Sequence, residues 1–390
     1  MKPRNVIPGV DWVGAVDWDR TMFDALIPLP DHTSYNAYLI QDGEKTVLVD
    51  TVEPKLADTL MSRLEGVEQV DYILSLHAEQ DHSGSLPIVL QKYPQAQIFA
   101  SPKGRENLVS HLLIDAERIH AVQDGETLSL GNRTLQFTHI PWVHWPDTMA
   151  AFLVEDRLLF TTDFFGSHLA TSSLFASTDE ARVLSAARRY YAEIMMPLRL
   201  MALKNLDKLE ALQPAIIAPS HGPIYDHPSL ILDAYRQWLE GPLRNAVVLP
   251  FISMHGSTLS MVSFLSECLA ERGVAVDAFD LLSTDLGQLA SALVDAPTLV
   301  IGSPTVLGGP HPAAVSTAYL VNMLKPRLKH LSVIGSYGWG GKTVETLTDM
   351  VSGLKLELLP AVLCKGLPAE ADLQALDALA ELIEEKHSTL

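Results

Sequence analysis

The chain has 390 residues, 47% hydrophobic and 19% charged, and its 28 basic against 47 acidic residues give a formal net charge of −19. That length exceeds one ordinary core and predicts two domains, and the composition excludes a disordered chain. An acidic balance with no basic cluster excludes nucleic acid as a partner, and no apolar run approaches the roughly 20 residues of a membrane span. The stretch "MKPRNVIPGVDWVG" lacks the apolar centre of a signal peptide. Cys268 and Cys364 are the two cysteines, far apart. That excludes a disulfide framework and a zinc ribbon, and a cytoplasmic location is expected.

Taken in chain order, residues 1 to about 240 hold short apolar runs that end in polar or acidic residues. "TVLVDT" (46–51), "VDYILSLH" (70–77), "LQFTHIPWVH" (135–144), "RLLFTTD" (157–163) and "AIIAPSH" (215–221) read as strands. Residues 179–212 read as helix with a break at Pro197, and 222–245 as a turn, a short helix and a connector. Sheets covered by helices are expected here.

From about 246 the chain alternates strand and helix. Strands are predicted at 246–252, 274–280, 298–304, 331–337 and 354–362, and "DLQALDALAELIEEKH" forms a closing helix. Five strands apolar on both faces describe a doubly wound parallel sheet. The boundary is placed between domains of residues 1–243 and 244–390.

Metal-type ligands recur at the ends of the first set of strands. "SLHAEQDHSG" (75–84) carries His77, Glu79, Asp81 and His82, and if the loop stays extended, His77, Glu79 and Asp81 share one face. Alone, such a cluster reads equally as a solvated turn. His144, Asp163 and His221 end three further runs, however, and strand ends of one sense gather at one sheet edge. Four imidazoles and three carboxylates exceed what one zinc needs and suit two metals sharing a carboxylate. Nitrogen and oxygen ligation without thiolate leaves iron, manganese or zinc open.

The second half has its own strand-end chemistry. Ser253, Met254, His255, Gly256, Ser257 and Thr258 join the first strand to a helix and suit a phosphate cradled by N–H and O–H groups. The loop is neither a Walker motif nor a dinucleotide fingerprint. Pro304, Thr305, Val306, Leu307 and Gly308 follow the third strand. Ser336, Tyr337, Gly338, Trp339, Gly340 and Gly341 end the fourth. A flat ring can stack on Trp339 or lie against the 305–308 backbone.

These residues resemble a known family. His-x-Glu-x-Asp-His at 77–82, then His144, Asp163 and His221, with "HWPDTM" (144–149), "TDFFGSH" (162–168) and "PSHGPI" (219–224), look like the metallo-β-lactamase-like domain of flavodiiron proteins. The hydrolytic members carry a histidine where Glu79 stands. The three later loops resemble a flavodoxin-type FMN site, and the two resemblances cover nearly the whole chain. The resemblance implies an N-terminal αββα sandwich followed by a flavodoxin-like five-stranded sheet. It further implies a non-haem di-iron centre with His77, Glu79 and His144 on one iron, Asp81, His82 and His221 on the other, and Asp163 bridging. His82 is the position that some relatives turn away from the metal. Residues 23–40, "FDALIPLPDHTSYNAYLI", lack the His-Gly segment that many relatives place above the metals.

The implied activity is reduction of O2 to water or of NO to N2O with electrons relayed by FMN. The implied assembly is a head-to-tail homodimer, with pairing into a tetramer left open. No rubredoxin-like cysteine pairs follow the second half, so electrons are expected from a separate carrier such as rubredoxin. The rival reading is a zinc hydrolase fused to a flavin-binding electron-transfer or sensor domain. His139, Trp142 and Trp145 are read as packing around His144. His111, His120, His311 and His330 are read as ordinary histidines, and the cysteines as small buried hydrophobes.

Overall fold

The computed structural model describes residues 1–23, 25–42 and 44–390. Asp24, within the 23–40 stretch, lies outside the described residues. Two compact units emerge: Met1–Tyr191 with Leu198–Leu239, and Glu240–Leu390 with Ala192–Pro197.

The first unit is an αββα sandwich. One sheet runs, in spatial order, Arg4–Ile7, Val10–Trp12, Tyr38–Asp42, Lys45–Val49, Tyr72–Leu74, Gln97–Ala100 and Ile119–Ala121, with the last four parallel. The other runs Thr127–Ser129, Thr134–His139, Met149–Leu153, Leu158–Thr162 and Ile216–Pro219. Alternation along a strand sends successive side chains to opposite faces. Thus Leu48, Ile73 and Ile98 meet the helical layer, while Val47, Val49, Leu74 and Phe99 meet Phe137, Met149, Leu158 and Phe160 of the facing sheet. The predicted strand 135–144 stops at His139; a turn-rich loop with Trp142 at φ +68° carries the chain on to His144.

The second unit is a parallel sheet in the spatial order Ala275–Asp280, Ala246–Phe251, Thr298–Gly302, His330–Tyr337, with Glu357–Leu358 and Val362–Lys365 both on the far side of His330–Tyr337. That is a flavodoxin-like order. The two central strands, AVVLPF and TLVIG, are buried along their whole length, as strands covered on both faces must be. Pro250 has no N–H to give, and the register with Thr298–Gly302 passes from Val248 to Phe251 without a paired residue between. The fifth strand differs from the predicted 354–362. It is split at Leu359–Ala361, where Pro360 cannot continue a ladder, and its second piece extends three residues further than predicted.

Gly335 lies against the backbone of Ser303, where a methyl group would be driven into the Ser303 carbonyl oxygen. Gly335→Ala is expected to destabilise this unit by about 1–3 kcal/mol, the usual range for overpacking. Urea unfolding at constant m-value measures it.

Candidate functional site

The loop after Tyr72–Leu74 does not stay extended. His82 and Ser83 donate their backbone N–H groups to Glu79 O (3.0 and 2.9 Å), and Ser83 Oγ donates to the carbonyls of Ala78 and Glu79 (2.8 and 2.9 Å). The chain therefore turns helical over Gln80–Ser83. His77 and Glu79 precede the turn, Asp81 and His82 ride on it, and the four side chains divide between two neighbouring groups instead of sharing one face.

All seven expected side chains are brought together. His77, Glu79, His144 and Asp163 form one group and Asp81, His82 and His221 the other, with ligand atoms inside each group within 4.8 Å of one another. Asp163 reaches both. Its Oδ2 lies 3.4 Å from His77 Nε2 and 3.2 Å from His144 Nε2, while Oδ1 lies 3.0 Å from His82 Nε2 and 3.2 Å from His221 Nε2. Glu79 Oε2 completes the first group at 3.0 Å from His77 Nε2 and 3.1 Å from His144 Nε2. In the second, Asp81 Oδ1 is 3.3 Å from His82 Nε2 and Oδ2 is 3.4 Å from His221 Nε2.

These residues fit metal ions. Both oxygens of Asp81, both ring nitrogens of His82, His144 Nε2 and Asp163 Oδ1 are buried and form no hydrogen bond. Native structures rarely bury so many unsatisfied polar atoms in one place, and a cation satisfies carboxylate and imidazole lone pairs together. Two of the rings are held from behind with their Nε2 atoms turned inward. His221 Nδ1 donates to Ser34 O (2.8 Å), and His77 Nδ1 lies 3.3 Å from Asp147 Oδ2, which also accepts the Ala78 N–H (2.8 Å).

Asp147 is a functional residue that sequence reasoning passed over, although "HWPDTM" contains it. Its carboxylate is fully buried, and its partner His77 lies 70 residues away, so the sequence offered only its place in that motif, three residues after His144. His168 was also missed. Buried with its Nδ1 3.0 Å from Thr33 Oγ1, it packs against Phe23, Tyr190 and His221 at ring separations of 5.1, 4.8 and 4.9 Å. Trp145 stands edge-on to His77 at 5.1 Å, while Trp142 is exposed.

In the metal-free protein the cluster is a network of ion pairs. Burial alone would lower the imidazole pKa values, but Asp163 and Glu79 lift His144 to about 9, and Asp163 and Asp81 lift His221 to about 10. Asp147 and Glu79 likewise outweigh burial and hold His77 well above its ordinary value. The counterpart is that burial, which would raise Glu79 and Asp163, is overcome by the surrounding imidazoles, so both carboxyls stay ionised. His168 behaves oppositely: burial, reinforced by the charge of His221, keeps it neutral.

The second unit has a cavity of about 380 Å³ lined by Ser253, Met254, His255, Ser257, Pro304, Thr305, Ser336, Tyr337, Gly338, Trp339 and Gly366. Its size suits a cofactor. Gly256, at φ +87°, precedes the helix Ser257–Glu271; Leu259 N donates to Ser253 Oγ (3.2 Å), which leaves the N–H groups of Ser257 and Thr258 for an anion. No lysine or arginine is among the lining residues. Thr258 is buried beside Ser336, with their hydroxyl oxygens 3.3 Å apart. Val306, Leu307, Gly308, Gly340 and Gly341 are not among the lining residues: Thr305–Val306 and Gly309–Pro310 pair as a small hairpin with Leu307 exposed at its tip, and Gly341 packs on Thr305 and Gly308. Gly366 was missed because it follows the displaced end of the split fifth strand.

Metal uptake by the metal-free protein is expected to release protons. At pH 7 imidazoles with pKa values of about 9 and 10 are charged, His77 is held in the same direction, and a metal takes only the neutral ring, so affinity rises with pH and more than two protons leave. Calorimetry in buffers of different ionisation enthalpy counts them. Asp147→Asn is expected to weaken metal binding by about 10–100-fold, the usual cost of losing an orienting partner, measured by competition with a chelator.

Residues 33–222 match the ODP family beta lactamase. A nitric oxide reductase of Moorella thermoacetica is 33% identical over 383 residues, covering 96% of both chains. A rubredoxin-oxygen oxidoreductase of Megalodesulfovibrio gigas is 32% identical over 394 residues, covering 98% of both. Among solved structures, the rubredoxin oxygen:oxidoreductase of Desulfovibrio gigas superposes with a TM-score of 0.96 at 31% identity, over 100% of this chain and 99% of that one. The flavodiiron protein of Giardia intestinalis superposes with a TM-score of 0.92 at 27% identity, over 99% and 98%. On sequence, fold and the two ligand groups together, the chain belongs to the flavodiiron family, the A-type flavoproteins.

Proposed function

We propose that this protein reduces O2 to water, NO to N2O, or both, by passing electrons from FMN to a non-haem iron pair. The observation that carries the reading is Asp163, with one carboxylate oxygen toward each group of ligands. His77, Glu79 and His144 would hold one iron and Asp81, His82 and His221 the other, with Asp163 between them. Glu79, where the hydrolytic relatives have a histidine, gives the set a third carboxylate and favours iron over zinc. The loops 253–258, 304–308 and 336–341, together with Gly366, would hold FMN. In this reading residues 1–243 carry the metal chemistry and 244–390 the flavin.

When bound, the iron pair supplies electrons and open coordination positions to a diatomic molecule, and the flavin stores two electrons and releases them singly. The protein's own residues supply the rest. Asp147 and the Ser34 carbonyl fix the His77 and His221 rings. Tyr190, fully buried, has its pKa raised well above 10 by burial and the nearby Asp163, so it keeps its proton beside the site. Phe23 and Trp145 place apolar surface against His168 and His77, which limits water around the ligands. At the flavin loops, the N–H groups of Ser257 and Thr258 and the hydroxyls of Ser253, Ser257 and Thr305 would receive the phosphate, with Ser253 Oγ still accepting from Leu259 N.

Each unit carries exposed large apolar side chains, among them Trp18, Met22, Leu26 and Trp142 in the first and Met254, Leu307, Trp339 and Leu367 in the second, of which Met254 and Trp339 line the cavity. They support a head-to-tail dimer in which each subunit's flavin serves the partner's metals. The donor would be a small redox carrier such as rubredoxin, as the name of the Megalodesulfovibrio relative suggests for that protein. No helix among the described residues is long and apolar enough to cross a membrane.

Metal analysis and gas electrodes test this reading. About two irons and one FMN per chain are expected, with anaerobic reduced protein consuming O2 or NO. Asp163→Asn is expected to lower consumption at least about 100-fold while FMN stays bound and reducible. Two zinc ions with esterase activity and no gas consumption would replace the reductase by a hydrolase. For the dimer, a variant that sediments as a monomer with both cofactors loaded yet turns over fully would rule the arrangement out.

A further inference from the structure

At the edge of the second unit's sheet opposite the cavity, two imidazoles meet on a single hydroxyl. Thr298 starts the strand Thr298–Gly302, and its register partner His330 starts the neighbouring one. Thr298 Oγ1 lies 3.3 Å from His330 Nδ1 and 2.8 Å from Nε2 of His387, the last residue of the closing helix Glu370–His387. The other ring nitrogen of His387, Nδ1, lies 2.7 Å from Oδ1 of Asn245, the residue just ahead of Ala246–Phe251. Thr298, His330 and His387 are all buried.

The network fixes the protonation state of His387. Asn245 Nδ2 donates to Gly273 O (3.0 Å), so the amide oxygen faces the ring and His387 Nδ1 must carry the hydrogen. The neutral ring then offers Nε2 as an acceptor for the Thr298 O–H, and His330 Nδ1–H donates to the same hydroxyl oxygen. A proton on His387 Nε2 breaks this order. Two N–H groups would converge on one oxygen, and the Thr298 hydrogen would lose its acceptor, since among the described residues that hydroxyl has no other partner. No carboxylate stands ready to compensate. Glu357, 3.5 Å from His330 Nε2, is engaged by Lys386 (2.6 Å), and Lys329 adds positive charge near His330. Arg244, beside Asn245, holds Asp277 and Asp295, while Asp377 and Glu384 of the closing helix face Arg272. A helix C-terminus ordinarily favours a charged histidine. Here burial, reinforced by His330, wins and pushes His387 down to about 4.

We propose that His387, held between Asn245 and Thr298, is a pH-sensitive latch that fastens the closing helix to the sheet when neutral and releases it when protonated. The direction follows from linkage. The docked ring binds its proton more weakly than a solvated histidine, so docking has its full strength above about pH 6.5 and weakens as the pH falls toward 4. The effect reaches the cavity through packing. Leu376, Leu379, Ala380 and Ile383 of the closing helix share one apolar cluster with Val262, Leu265 and Leu269 of Ser257–Glu271, whose first residue lines the cavity. A released closing helix leaves that helix without its backing.

The test is hydrogen exchange of the amides of residues 370–387 in the metal- and FMN-loaded protein at pH 8 and pH 5, corrected for the intrinsic rates. Between these values histidine is the side chain whose charge ordinarily changes. Opening of the closing helix is expected to rise about tenfold from pH 8 to pH 5. In His387→Gln, which cannot titrate, the rise should vanish, whatever the level of opening at pH 8. Thr298→Val removes the hydroxyl that selects the neutral ring and should shrink the rise, which keeps the latch testable if the glutamine variant does not fold. His227→Gln, at an exposed position of the first unit, should leave it unchanged. No rise in the wild type, or an equal rise in His387→Gln and Thr298→Val, would overturn the proposal. Release of FMN, followed by its fluorescence, should rise in parallel. That second readout rests on the FMN reading, and a protein that binds no FMN would overturn that reading while amide exchange still decides the latch.

Discussion

Asp163 is the constraint on which the site depends. One carboxylate must face two groups of ligands at once, so its position is fixed relative to four imidazoles. The backbone does this with a sharp departure from the strand Leu158–Thr162: Thr162 sits at φ +47°, Thr161 Oγ1 donates to Phe164 O (2.7 Å), and Gly166 N donates to Asp163 O (2.9 Å). The strand itself is locked between Met149–Leu153 and Ile216–Pro219. Because Ile216–Pro219 runs parallel to it, Asp163 and His221 leave the sheet from the same edge. Sheet register thus sets ligand distance, and the apolar residues of the sandwich core act on the chemistry without touching it.

A second economy concerns charge. The first site gathers three carboxylates inside the protein and balances them with imidazoles until metals take over. With FMN in the cavity of the second unit, as proposed, the opposite problem would arise, an anionic ligand entering a strongly acidic protein with no lysine or arginine in the lining. Partial charges at the start of a 15-residue helix would do that work at short range, where the summed negative charge of the surface is screened.

Much of this was legible in the sequence. Strands such as "TVLVDT" and "TLVIGSP" are short apolar runs bounded by polar residues, and burial on both faces leaves little other reading. The ligands were legible because imidazoles and carboxylates kept recurring where such runs stop. Position at a strand end survives even when a boundary is misjudged, as at His144, five residues past its strand. The helical turn at Gln80–Ser83 was not legible, since four polar residues carry no periodic signal and the turn is held by Ser83 reaching back to Ala78 and Glu79. Asp147 and His168 acquire their roles from partners 70 and 135 residues away, His77 and Thr33. Gly366 was hidden by a strand that Pro360 divides. For Asp147 and His168, what sequence withheld was a contact between segments distant along the chain.

The loops that carry Asp163 and His221 are interlocked. Ser167 N donates to His221 O (3.1 Å), and Gly222, at φ +78°, leaves room for the Ser167 side chain where any Cβ would collide with its hydroxyl. Neither loop can be rebuilt alone. A lineage that drifts at Ser167 toward a bulkier residue, or at Gly222 toward any other, loses the partner loop unless both change in step. Exchange of either segment between distant homologues should therefore fail singly and succeed as a pair.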